Sequence, residues 1–520
     1  MNYLKTFICF LWLLCCYIQT TKQDAEFWNS MAQENLKKLL QKQWNTNIAK
    51  NVILFVGDGM GIPTITAARI YKGQQQNKTG EESKLVFEEF PEVGLIKTYS
   101  VNEQVPDSAG TATAFLCGVK AKSGVLGLDD RADEANCTTS VGAEVDSILR
   151  MSKKKGKSAG IVTTTRLTHA TPGAAYAHSP SRNWEGSYDT EQEMVDPQCT
   201  DIAYQLIMNN SDINVLMGGG RRFFLSENKT DPESNFTFRH QRKDLDLVDE
   251  WLRVKEEENV SHSYVWNNLG FNAIDPETTD YVLGLFDPSH MQYEYERDQG
   301  PFGEPSLSEM TRKAVEILRK NDKGFFLLVE GGRIDHGHHA TRAAIALSET
   351  AMFDSAVQVA KEMTNNDDTL IVVTADHSHA FMIAGYPSRG NDILGTVDSA
   401  PGDDGMPYTT LNYGNGPEQR RNLTGIDTTS FSFQQSGVVP MSSETHAGED
   451  VPVYATGPMA HLFVGTHEQN YIAHVLAYAS CVGSYPGRCD VTPSSVTQSG
   501  ASNTMISFLL LSLSFSLCLL

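Results

Sequence analysis

Positive charge is scarce in this chain. Its 520 residues carry 42 lysines and arginines against 64 aspartates and glutamates, a formal net charge of −22. That balance leaves no basic footprint for a nucleic acid and reads as a solvated acidic surface, so a phosphate-like ligand would be drawn only to a local positive site. Cysteine is sparse too: there are nine, none at zinc-site spacing, so any zinc ion must rest on histidines and carboxylates. No internal repeat or low-complexity tract occurs. No apolar run comfortably reaches the about 20 residues of a spanning helix. What remains is ordinary globular composition, 40% hydrophobic and 20% charged, long enough for a large core.

The two ends read as processing segments. Lys5 supplies a positive start and Phe7 to Ile18 an apolar run, which predicts a cleaved signal peptide over residues 1–21, with a signal anchor the alternative. At the other end Ile506 to Leu520 is almost wholly apolar and follows the small, polar stretch Thr492 to Asn503. That order matches the signal for a glycosylphosphatidylinositol anchor over residues 491–520, with a true span the alternative. Ser499 is the expected attachment residue; Ser494, Ser495 and Gly500 compete with it. Both ends point through the secretory pathway to the extracellular face of the cell membrane. Sequons at Asn77, Asn136, Asn209, Asn228, Asn235, Asn259 and Asn422 fit that route. With Cys9, Cys15, Cys16 and Cys518 in the removable segments, five cysteines remain, an odd count for an oxidising compartment. Cys481 and Cys489 flank a Gly/Pro-rich loop and are expected to pair. Cys137 and Cys199 then pair across a longer loop, which leaves Cys117, in the apolar stretch from Ala114, as a buried free thiol.

Short apolar runs alternate with helix-like segments. The runs are Val52 to Val56, Ala159 to Val162, Asn214 to Met217, Phe325 to Val329 and Thr369 to Val373; the helical stretches include Ser308 to Lys320 and Arg342 to Lys361. Such alternation predicts an α/β fold around a largely parallel central sheet, whose ligands collect beyond the carboxyl ends of the strands. Residues 22–48 form a polar, helix-prone arm. Residues 386–444 are dense in Gly, Pro, Asn and Asp and read as an inserted small domain or loop system between two parts of the main body, 49–385 and 445–490.

The chemistry is concentrated at strand ends. Glu330 to His339 packs two carboxylates and three imidazoles into ten residues directly after an apolar run. On a helix Asp335 and His339 would share one face as i and i+4, two arms of a zinc site. Asp58 follows the first run, His169 and Thr171 the second, and Asp376, His377 and His379 the fifth. Gly57 to Gly61 lacks the G-x-G-x-x-G spacing of a dinucleotide loop; it reads as a turn carrying a metal-binding Asp or as a plain glycine turn. Ser108, ahead of a run of small residues, is either a helix cap or a nucleophile at a helix N-terminus, needing no Ser-His-Asp triad if a metal lowers its pKa. His446, among Glu444, Glu449 and Asp450, is a candidate third partner for Asp335 and His339. Arg182 reads from composition alone as a surface arginine.

Taken together, Val56 to Gly61, Pro106 to Thr113, Val162 to Thr165 with His169, Glu330 to His339, Thr374 to His379 and Glu444 to Asp450 resemble the alkaline phosphatases, and specifically the animal, membrane-anchored branch, over roughly residues 25 to 490. The resemblance implies a three-layer sandwich with a crown-like insertion and an N-terminal helical arm. It implies broad phosphomonoesterase activity through a phosphoserine at Ser108, with Arg182 clamping the phosphate and Asp107 pairing with Arg182. It implies a zinc held by Asp335, His339 and His446, a second held by Asp58, Asp376, His377 and Ser108, and a magnesium held by Asp58, Thr171 and Glu330. Thr171 stands where the family uses Ser or Thr. His169 and His379 would lie just behind these ligands; His336 and His338 would not be ligands. A calcium site is implied at Glu233, Phe286 (through its carbonyl), Asp287 and Glu304, although the acids at 287 and 304 differ in length from the family's Glu and Asp. A homodimer is implied as well, with Tyr386 near the partner's active-site mouth. A sulfatase would need Cys-x-Pro-x-Arg, which does not occur, and a scaffold with vestigial catalysis would have lost ligands that this chain retains.

Overall fold

The computed structural model describes residues 25–192, 199–234 and 236–485. The expected signal peptide, Asn235, Cys489, Ser499 and the anchor signal lie outside these residues. The strands are β1 (Asn51–Gly57), β2 (Glu92–Lys97), β3 (Ser158–Arg166), β4 (Val215–Gly219), β5 (His262–Val265), β6 (Tyr281–Leu285), β7 (Phe325–Gly331), β8 (Thr369–Ala375), β9 (Ser378–His379), β10 (Phe381–Ile383), β11 (Leu411–Gly416), β12 (Gly437–Pro440), β13 (His446–Ala447), β14 (Val451–Thr456) and β15 (Gly465–Glu468). The helices needed below are α1 (Ala25–Leu40), α2 (Ile62–Gln74), α3 (Ser108–Cys117), α4 (Leu307–Leu318), α5 (Arg333–His339), α6 (Ala343–Met363) and α7 (Tyr471–Ser480).

Ten strands form one sheet in the order β15-β2-β14-β8-β1-β7-β3-β4-β6-β5. Only β14 runs against its neighbours; the other pairings in that sheet are parallel. Helices α2, α4 and α6 pack together over β1, β3 and β7, while α3, α7 and the helix Ile148–Lys154 gather on the other face. Cover on both faces explains why β7 and β8 are buried along their whole length and read as unbroken apolar runs. The largely parallel α/β sheet expected from the sequence is therefore present. α4 begins just ahead of the predicted Ser308 because Ser306 caps it: Ser306 Oγ accepts from Glu309 N at 3.2 Å and Ser306 N donates to Glu309 Oε2 at 2.8 Å.

The strands that sequence reading missed are short or carry polar residues inward. In β2 the buried positions are Glu92, Gly94 and Ile96, and Val93 faces out. Glu92 tolerates burial because Lys42 Nζ reaches its Oε2 at 2.6 Å. Around the expected insertion, β10, β11 and β12 form a separate three-stranded sheet, and β13 returns antiparallel to β9, pairing His446 with His379. Helix α1 has no buried residue; beyond it Trp44 stacks on His461 at 4.7 Å between ring centroids. Cys137 and Cys199 are joined, with their Cα atoms 5.9 Å apart. Cys117 is a buried free thiol, and Cys481 is disulfide-bonded. No helix among the described residues is long and apolar enough to cross a membrane.

Glu349, buried in α6, accepts the Glu294 N–H at 2.6 Å. Burial pushes its carboxyl up to about 7 against the pull of the Glu294 N–H and of Arg333, with the Glu294 charge adding a smaller rise. A carboxyl raised in the folded state stabilises below its unfolded pKa and loses that contribution as pH rises through 7. Urea titrations at pH 5 and pH 8 are thus expected to show wild-type stability falling by up to about 3 kcal/mol more than that of Glu349→Gln; equal slopes would refute this.

Candidate active site

The central strands β8, β1, β7 and β3 lie side by side and end together: Val56 is opposite Thr374 and Glu330, and Glu330 is opposite Thr163. The residues that follow these ends, far apart in sequence, therefore meet at one edge. Asp58 comes off β1 in a turn where Gly59 adopts φ +70°, and a Cβ there would sit 2.4 Å from His379 Nε2. Gly59 is thus needed both for the backbone and for space, and its N–H donates to Asp376 Oδ1 at 2.9 Å.

Ser108 opens α3, whose residues are all buried. The cap is its neighbour: Asp107 accepts from Ala109 N at 3.1 Å and from Gly110 N at 3.0 Å. With capping supplied by Asp107, the Ser108 hydroxyl is left to face His377 Nε2 at 3.2 Å. Asp107 also pairs with Arg182 Nη1 at 3.0 Å, and Arg182 Nη2 reaches His169 Nε2 at 3.2 Å. Ser108, Arg182, Asp335, His339 and His446 line one open cleft of ≈ 500 Å³.

Two donor groups meet beneath Ser108. In the first, α5 sets Asp335 and His339 on one face, with His339 Nε2 3.3 Å from Asp335 Oδ1. His446, delivered by β13, puts its Nε2 at 3.3 Å from the same oxygen and 3.1 Å from His339 Nε2. His339 Nδ1 donates to the Glu444 carbonyl at 2.6 Å and His446 Nδ1 to the Pro106 carbonyl at 2.8 Å. Both Nε2 atoms therefore carry lone pairs, and they meet beside a carboxylate oxygen. A bound cation would satisfy all three donors at once. Burial opposes ionisation of Asp335, but His339, His379 and His446 hold its carboxyl well below the usual range.

In the second group Asp58, Asp376 and His377 converge, and Asp58 also meets His169 and Glu330. Asp376 Oδ1 takes N–H bonds from Gly59 and His377, and Glu330 Oε2 takes the hydroxyls of Thr163 and Thr165. Each leaves its other oxygen without a hydrogen bond: both Asp58 oxygens, Asp376 Oδ2, Glu330 Oε1 and the Thr171 hydroxyl are buried with none, although His377 Nε2 lies 3.0 Å from Asp376 Oδ2 and 3.5 Å from Asp58 Oδ1. Burial, Asp376, Asp335 and Glu330 push the Asp58 carboxyl well above its ordinary value, and burial lifts Glu330 to about 7. Ionised, such a group needs bound positive charge, and its hard oxygens suit zinc or magnesium.

His379 donates from Nε2 to Asp335 Oδ1 at 2.8 Å and from Nδ1 to Glu444 Oε2 at 2.6 Å. Burial opposes its charge, but Glu444 and Asp335 carry it up to about 10, so it supports Asp335 and has no nitrogen to spare for a metal. Glu444 went unassigned in the sequence; its signal was its place two residues before His446. Both His338 nitrogens are taken by hydroxyls, Thr64 Oγ1 at 2.9 Å and Tyr413 OH at 2.9 Å. The expected calcium carboxylates lie near one another: burial and then Asp287, with Glu233 adding, lift Glu304 to about 9, while Glu233 Oε2 is drawn to Arg221 Nη2 at 2.7 Å.

Comparison with known proteins decides what this edge belongs to. The family model for alkaline phosphatase matches residues 49–482. The chain belongs to the alkaline phosphatase family. The human alkaline phosphatase, tissue-nonspecific isozyme, is 51% identical over 478 residues, 90% of this chain and 91% of the relative. An alkaline phosphatase of Gadus morhua is 50% identical over 470 residues, 88% of this chain and 98% of that protein. Among solved structures, the alkaline phosphatase of the Antarctic bacterium TAB5 superposes with a TM-score of 0.58 at 25% identity, covering 84% of this chain and 99% of its own. The alkaline phosphatase of Thermus thermophilus shares the fold, with a TM-score of 0.60 at 23% identity. This alkaline phosphatase is accordingly a metal-dependent phosphomonoester hydrolase, and its donor groups are of the kind such an enzyme needs.

Proposed function

We propose that this phosphatase works through a covalent phosphoserine at Ser108. The observation that carries the reading is the Ser108 hydroxyl, spared from capping and aimed at His377 beside buried oxygens that lack hydrogen bonds. Asp335, His339 and His446 would hold one zinc; Asp58, Asp376 and His377, with Ser108, a second; Asp58, Thr171 and Glu330 a magnesium. When bound, these ions would supply Lewis-acid charge that favours the ionised hydroxyl and the leaving oxygen. Ser108 Oγ forms the bond to phosphorus as the ester P–O bond breaks, and water later breaks the Oγ–P bond. Arg182 offers two N–H donors to the phosphate, a contact a planar guanidinium makes well, and Asp107 fixes both Arg182 and the start of α3. Nothing here reads the leaving group, which supports broad specificity. Phosphate added at low pH, followed by acid quench and peptide mass analysis, is expected to find the phosphate on Ser108; label on another residue or on none would overturn the reading.

The chain's ends, read as a signal peptide and an anchor signal at Ser499, support an extracellular enzyme tied to the membrane. A phosphatidylinositol-specific lipase should release activity from intact membranes, and activity that stays behind would argue against the anchor. Exposed Tyr386, and the apolar Trp28, Leu36 and Leu40 on α1, support a homodimer. Asp287 and Glu304, raised by burial, support a calcium ion that Glu233 and the Phe286 carbonyl would complete.

A further inference from the structure

His336 takes no part in either donor group, yet it has two neighbours of its own kind. His169 follows β3, His290 follows β6 and His336 lies in α5; one ring nitrogen from each falls within 4.8 Å of the other two. Ring centroids are 4.3 Å apart for His290 and His336, 5.3 Å for His169 and His290, and 5.9 Å for His169 and His336. Three imidazoles drawn from separate segments into one place are poor core material, since each brings polar atoms that must be satisfied.

We propose that His169, His290 and His336 form an auxiliary site for a borderline-soft divalent ion, zinc by preference, adjoining the carboxylate-rich groups around Ser108 through His169. The donor type argues for it: imidazoles suit zinc and copper, whereas magnesium and calcium take oxygen. Hydrogen bonding argues for it as well: one nitrogen of each ring faces a guanidinium, which can only donate, so all three rings keep a lone pair.

Those lone pairs already face positive charge. Arg182 Nη2 lies 3.2 Å from His169 Nε2, Arg333 Nη1 lies 3.1 Å from His336 Nδ1, and Arg166 Nη1 meets His290 Nε2. Arginine only donates, so each of these ring nitrogens is the unprotonated one. Each guanidinium keeps another partner if a metal takes its imidazole. Arg182 has Asp107, Arg166 is bound by both oxygens of Glu185 at 2.7 and 2.6 Å, and Arg333 lies 3.7 Å over the Tyr293 ring. His169 Nδ1 and His290 Nδ1 are also buried without a partner, so no second hydrogen bond resists a turn of either ring toward a ligand. Glu185 and Asp107 balance two of the arginines and no carboxylate among the described residues bonds the third, so this site is weaker than the carboxylate-rich ones and a chelator empties it first.

The test compares holoenzyme with His290→Asn and His336→Asn, each equilibrated with the same free zinc and analysed for metal per subunit. Wild type is expected to carry about one zinc more than either variant. Because the readout is a difference between variants, it stands whether or not Ser108 is the nucleophile. Zinc content equal in all three proteins, or lowered in only one variant, would overturn the site. If either variant shows a lower Tm, Cu(II) added to wild-type holoenzyme decides the matter. Electron paramagnetic resonance showing coupling to three imidazole nitrogens supports the site, and coupling to fewer refutes it.

Discussion

Ser108→Ala is expected to lower kcat toward a chromogenic phosphomonoester, assayed at pH 9 to 10, by at least about 10⁴-fold, the scale on which removing a nucleophile acts. The fold should survive. Alanine is a good residue for the first turn of a helix, and the cap of α3 belongs to Asp107, which bonds Ala109 and Gly110 through its own carboxylate. The change deletes one hydroxyl and its 3.2 Å contact with His377, so Tm should stay within a few degrees of wild type while turnover collapses. That split separates a nucleophile from a structural serine. A variant with near-wild-type kcat would sink the covalent route, and one that loses Tm and kcat together would point to a packing role.

The second large effect concerns Asp58. Asp58→Asn is expected to lower kcat by roughly 10³-fold, the equivalent of losing several kcal/mol of metal-derived stabilisation. Its stability should move in opposite directions with and without metal. In the loaded wild type, each ion at a thousandfold over its Kd adds about 4 kcal/mol, and Asp58 serves both the Asp376–His377 side and the Glu330 side. With chelator, the same carboxylate is buried beside Asp376, Asp335 and Glu330 with no hydrogen bond to either oxygen. Asparagine removes that repulsion. Thermal melts with and without chelator should therefore show wild type the more stable when loaded, and Asp58→Asn equal or better when stripped. If chelation costs both proteins the same Tm, Asp58 does not hold the metals.

The same carboxylates explain why much of this site was legible before any fold was known. Asp335 and His339 are one helical turn apart, and Asp58, His169 and Asp376 each follow a strand-like run, so local spacing carried their meaning. Long-range pairs carried none. Nothing within reach of His446 in the chain says that β13 will lie against β9, or that its Nε2 will come within 3.1 Å of His339. Glu444 was marked only by its place beside His446, and its role was hidden for the same reason: its carboxylate acts on His379 and its carbonyl on His339, both far away in sequence.

The sequence by itself determined the class of the protein and most of its chemistry: an α/β body from alternating runs, a site at the strand ends, and, through ordered strings that resemble one family, a metal-assisted phosphomonoester hydrolase. These are local properties, written in periodicity and in neighbours along the chain. Tertiary structure alone decided which groups share a charge. Parallel register brings Asp58, Glu330 and Thr163 to one edge, Asp107 takes over the cap so that the Ser108 hydroxyl is spared, and His336 is carried away from Asp335 and His339, its neighbours in sequence, to lie with His169 and His290. Electrostatic coupling depends on distance in space and on burial, and neither exists until the sheet has closed.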